Sequence, residues 1–135
     1  MIIVLDASGA LEIALGRENS ILFMSHLKNA DVILAPDTYV SEVTNVFRKY
    51  SKFSQFSDEV CLKGIDFCIN LIDDFIDSKD LWREAYFESV KNESSTYNMF
   101  YLVAARRNYG FIISINNKLN KLAEKEHLKI GSKDA

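Results

Sequence analysis

Four polar residues stand where they could share one site: Asp6 closing IIVLD, Glu42 in APDTYVSEV, Asn98 in SSTYNMFY and Asn116 in FIISINN. Two are carboxylates and two are neutral amides. A carboxylate that follows a buried strand and precedes a helix is accessible, and it is a natural ligand for a hard cation such as Mg²⁺ or Mn²⁺. The same Asp6 could instead simply cap that helix. Glu42 falls in early helix, where an acid also complements the helix dipole. Asn98 is a poor helix former near the start of an aromatic helix, where its side-chain oxygen could cap or ligate. Asn116 ends an apolar run, so it would face a ligand crevice with an amide rather than a charge. Just beyond it, Lys118, Lys121 and Lys125 share one helix face that could hold phosphates or be plain solvated surface.

The elements that must position these residues follow from the hydrophobic pattern. Ile2 to Asp6, Asp31 to Pro36 and Phe111 to Ile115 read as short buried strands. Helices are predicted over LEIAL, 18–29, from Asp37 or Thr38 through Tyr50, 57–76, 79–91, 95–109 and 117–126, with HLKIG as a last strand. Val40, Val43, Phe47 and Tyr50 recur at helical spacing as a core face, and Tyr97 and Tyr101 are expected in the core as well. Ser78 is a candidate N-cap for the helix at 79. Strands alternating with helices predict an α/β fold of three layers, α/β/α, around a mostly parallel sheet of four to five short strands. No linker or repeat divides the chain, so residues 1–135 are expected to form one domain.

Other chemistry is weaker. Asp73 to Asp77, DDFID, has the form of a DDxxD metal motif, but no second acidic motif supports it. His26 and His127 lack partners at ligand spacing. The two cysteines, Cys61 and Cys68, lie about two helical turns, roughly 10 Å, apart. That exceeds disulfide reach, and the pair is expected to be reduced core thiols of a cytoplasmic protein. The opening residues lack a basic region, and no apolar run approaches the roughly 20 residues of a membrane span. A net charge of −3 disfavours a general nucleic-acid coat protein while permitting an enzyme with a local basic edge.

Taken in order, MIIVLDASGALEIAL, APDTYVSEVTNVFRKY and SSTYNMFYLVAARRNYGFIISINNKLNKLAEKEHLKI resemble the PIN domain, and within it the VapC-like toxins of bacterial toxin–antitoxin pairs. The resemblance implies a metal-dependent endoribonuclease using Mg²⁺ or Mn²⁺, restrained by an antitoxin protein and often homodimeric. It implies a catalytic set of Asp6, Glu42, Asn98 and Asn116, with Asp6, Glu42 and Asn98 on the metal and Asn45, Ser114 and Asn117 behind them. Lys118 and Lys121 would meet the RNA phosphates. The third and fourth family acids fall on Asn98 and Asn116. Each replacement keeps an oxygen donor and removes a charge, so the nominal site charge falls from about −4 to about −2 and metal affinity falls with it. The alternative is a degenerate PIN module that binds protein or RNA without cutting. Part of the aromatic content between Trp82 and Tyr101 (Tyr86, Phe87, Tyr97 and Phe100 with them) is expected to form a dimer or antitoxin surface.

Overall fold

A computed structural model describes residues 1–132. Its strands are β1 (Ile2–Leu5), β2 (Val32–Pro36), β3 (Asp74–Ile76) and β4 (Phe111–Ile113). They form a four-stranded sheet in the order β3-β2-β1-β4, and every pairing is parallel. Ile3 is aligned with Ile33 on one side and Phe111 on the other. A parallel strand covered on both faces must be apolar along its whole length. Ile3, Val4, Leu5, Ile112 and Ile113 meet that demand with no exposed surface at all.

The helices are α1 (Ala7–Ala14), α2 (Ser20–Lys28), α3 (Thr38–Phe53), α4 (Asp58–Asn70), α5 (Trp82–Asn92), α6 (Thr96–Asn108) and α7 (Asn117–Lys125). Helix α1 packs with α2, α3 and α4, whereas α6 packs with α5, α7 and the central strands. The two groups make the outer layers of an α/β/α sandwich, as the alternation of elements predicted. No helix among the described residues is long and apolar enough to cross a membrane.

Arg106 ties the second layer together. Its guanidinium donates to Glu84 at 2.6 Å, Glu126 at 2.7 Å and Glu88 at 3.2 Å, joining α6 to α5 and to the end of α7.

Several local expectations need correction. The helix predicted over 57–76 stops at Asn70, and Asp74–Ile76 is an edge strand. Asp73 accepts a 2.8 Å hydrogen bond from the Ile33 backbone N–H at the sheet margin, just before β3. HLKIG contributes only a bridge between Ile130 and Ile112, not a fifth strand. Ser78 begins a short 3-10 turn, and α5 starts at Trp82 with no side-chain cap. The strand predicted over Phe111 to Ile115 ends at Ile113, and the next residue, Ser114, turns its hydroxyl to Asp6.

The smaller sequence readings fare as follows. Cys61 and Cys68 are buried free thiols. His26 is buried with its ring 4.8 Å from that of Phe111, and His127 is exposed.

Candidate functional site

In an open parallel sheet, helices that leave two adjacent strands for opposite faces open a crevice at the carboxyl ends of those strands. Here the adjacent strands are β1, which runs into α1, and β4, which runs into α7. A cleft of about 650 Å³ opens there. All four residues singled out by type and spacing line it: Asp6, Glu42, Asn98 and Asn116, with Asn45 beside Glu42.

Asp6 both caps and faces the cleft. Its Oδ1 accepts from the Gly9 backbone N–H at 2.8 Å and from Ser8 Oγ at 2.7 Å. Its Oδ2 accepts from Ser114 Oγ at 2.5 Å. The two readings of Asp6 are therefore compatible, because a carboxylate offers about four acceptor positions and capping consumes one. Burial pushes its pKa above the ordinary carboxylate range, against the opposing pull of the Ser114, Gly9 and Ser8 hydrogen bonds. All three donors are neutral, so none cancels the charge.

Glu42 projects from the second turn of α3. Burial pushes its pKa up to about 7, the Tyr101 hydroxyl that donates to it at 3.2 Å opposes that rise, and the nearby Asp6 charge adds to it. The phenol of Tyr101 is itself raised well above its ordinary value by burial and by the Glu42 and Asp6 charges. The base of the cleft thus holds two carboxyl groups whose charged forms burial disfavours and no cationic side chain offsets among the described residues.

The asparagines are partly spoken for. Asn116 is the N-cap of α7, with Oδ1 accepting from the Leu119 N–H at 3.0 Å. Its Nδ2 donates to Asn98 Oδ1 at 3.4 Å. Asn98 does not cap α6; Ser95 does, accepting the Asn98 N–H at 3.3 Å. Ser114 is fully buried and donates its hydroxyl to Asp6. Asn117 is exposed and does not line the cleft, nor do Lys118 and Lys121. Lys118 instead donates from Nζ to the Glu93 carbonyl.

Sequence reasoning missed Ser8, Arg17, Tyr50 and Tyr97 as lining residues. Ser8 carried a signal, since a serine two residues after a capping acid can bond back to it. Tyr97 was expected in the core and is 57% exposed. Tyr50 was assigned to the core by helical periodicity and is only half-buried. Nothing in the sequence marked Arg17.

The oxygen donors at the cleft carry too little charge for two divalent cations and could at most share one. Two carboxylates reach the cleft, the amide oxygen of Asn98 is a neutral third donor, and no group of three or more acidic, histidine or cysteine side chains gathers among the described residues. A hard cation prefers charged oxygens, and Asp6 and Glu42 supply them in a place where burial leaves their charge poorly solvated.

No protein-family model matches this sequence, and no curated protein matches it. Among solved structures, the crystal structure of PAE2754 from Pyrobaculum aerophilum is similar to this chain with a TM-score of 0.70. The two share 15% identity over 90% of this chain and 86% of that one, a likeness of fold alone.

Proposed function

We propose that this chain is a PIN-type endoribonuclease of the VapC-like kind, working with Mg²⁺ or Mn²⁺ at a weakened, single-ion site. The observation that carries the reading is the convergence of Asp6 and Glu42 at the switch point of the sheet, both raised in pKa and neither paired with a base. A bound divalent ion would lower the pKa of water and neutralise charge developing on a phosphodiester. Asp6 and Glu42 would hold it, with Asn98 Oδ1 as a neutral donor. Ser8, Ser114 and the α1 N-terminus fix the Asp6 carboxylate, and Tyr101 orients Glu42. Asn116 positions Asn98 and caps α7 rather than ligating directly.

A second reading is favoured by that same amide pair. Asn116 Nδ2 and Asn98 Oδ1 satisfy one another, as they would in a PIN module that binds RNA or protein without cutting. Calorimetric Mn²⁺ titration separates the two readings, with Asp6→Asn retaining an acceptor for the α1 cap. The nuclease reading expects the wild type to bind Mn²⁺, Asp6→Asn to lose that binding, and RNA to be cleaved only by the former. Binding confined to Asn98→Asp/Asn116→Asp overturns it in favour of the non-cleaving module.

The partners proposed with this reading are an RNA substrate, an antitoxin protein and a second copy of the chain. What supports a protein partner is α5, whose Trp82, Tyr86, Phe87 and Val90 are all more than half exposed. A cytoplasmic location belongs to the same reading and fits two free thiols.

A further inference from the structure

Resting on the ribonuclease reading, a further role falls to the turn between α1 and α2. Gly16, at φ +61°, reverses the chain after α1. The Arg17 N–H bonds to the Glu12 carbonyl at 3.0 Å. The Glu12 carboxylate is buried, and its Oε2 accepts from both the backbone N–H of Asn19 at 3.0 Å and its side-chain amide at 2.9 Å. One buried acid therefore staples both ends of the turn and fixes where Arg17 emerges.

Arg17 emerges over the cleft. Its Nη2 donates to the Tyr50 hydroxyl at 2.6 Å, and its guanidinium carbon lies 5.8 Å from the centre of the Tyr50 ring. Tyr50 is in turn held between Phe47, at 5.9 Å, and Phe56, at 5.3 Å. Arg17 forms no ion pair among the described residues, and it is the one cationic side chain among those lining the cleft. From the first turn of α6, Tyr97 adds a largely exposed ring to the same cleft.

The two carboxyl groups at the base of the cleft would hold the metal, so a phosphate lying further along the strand needs a cationic group on the cleft wall. Lysines 118 and 121 do not reach it; Arg17 does. A guanidinium fork suits phosphate oxygens, and an exposed ring beside it suits an unpaired base, whose face is available only when the strand is single. We propose that Arg17 is the phosphate-binding group of this cleft and Tyr97 its base-stacking surface, the two side chains by which it grips an RNA strand. Glu12 acts through Arg17 as a positioning residue.

The test is fluorescence anisotropy with a short labelled RNA strand and its duplex, in Ca²⁺ and across a salt series, beside a cleavage assay in Mn²⁺. The wild type should prefer the single strand. Arg17→Gln should weaken binding about tenfold and flatten the salt slope by roughly 0.7, the contribution of one phosphate on a single strand. Arg17→Lys should restore the slope. Tyr97→Ala should weaken binding about tenfold while Tyr97→Phe does not. Matching melting temperatures establish that each variant is folded.

If Arg17→Gln and Tyr97→Ala bind as the wild type does while Asp6-dependent cleavage persists, this inference falls and the nuclease reading stands. Equal wild-type affinity for duplex, whose base faces are covered, overturns the stacking role of Tyr97. A wild type that neither binds RNA nor cleaves it overturns both.

Discussion

Glu42 is the residue whose chemistry is most sensitive to conditions. Its folded pKa, about 7, lies above the ordinary carboxylate value of 4.5. The folded state therefore holds this proton more tightly than the unfolded chain does. The resulting stability is fully present below pH 4.5 and is lost as pH rises through about 7. Without metal, Glu42→Gln should melt above the wild type at pH 8, by on the order of 1 kcal/mol, and lose that advantage near pH 4. Identical melting curves at pH 8 would mean that the carboxylate is well solvated. Protons and Mn²⁺ compete for the same oxygens, so wild-type Mn²⁺ affinity should climb between pH 6 and 8, as calorimetry at each pH can read. At Asn98 the expected change is opposite in sign. Asn98→Asp restores a charged ligand and should tighten Mn²⁺ binding by about tenfold or more, while lowering the melting temperature in EDTA because a third, half-buried carboxylate stands beside Asp6 and Glu42 with no cation. At this scale the sequence showed which residues carry oxygen donors. It could not show the Asn116–Asn98 amide contact or the Tyr101–Glu42 bond, which join residues 18 and 59 positions apart.

The elements were legible wherever burial on both sheet faces imposes an unbroken apolar run. IIVL, VILAP and FII are such runs, and each is a strand. Strand β3 was hidden because Asp74–Ile76 sits at the sheet edge, where only one side needs pairing and acids are tolerated, so helical periodicity appeared to continue through it. The placement of α1 depends on close approach to β4. A Cβ on Gly9 would lie 2.7 Å from the Ile113 carbonyl oxygen and 3.0 Å from Leu5 Cδ1. Neither the strand backbone nor the core can retreat freely, so Gly9→Ala should destabilise by about 1–3 kcal/mol in urea unfolding. It should also reduce Mn²⁺ affinity, because the Gly9 N–H helps fix Asp6. Unchanged stability would show that α1 can slide away from the sheet.

At the scale of the whole molecule, the outer side of α5 gathers exposed aromatic rings, with Trp82, Tyr86 and Phe87 at 52–62% exposure. Of the aromatic residues that the sequence places between Trp82 and Tyr101, Tyr101 is buried beside Glu42 and Tyr97 faces the cleft, which leaves the α5 rings on the outer surface. Light scattering should find a dimer for the wild type and a monomer for Trp82→Ser/Phe87→Ser; a monomeric wild type would reserve this face for another protein. The sheet order carries a different consequence, one that concerns time. Asp6 is fixed by Ser114, 108 residues later in the chain. At translation rates of about 5–20 residues per second, roughly 5–20 s pass between synthesis of the acid and synthesis of its partner. Throughout that interval β1 can pair with β2 but not with β4. The nascent protein can therefore be half folded and still lack a finished cleft, and any partner that recognises the cleft meets it only after Ser114 has been made.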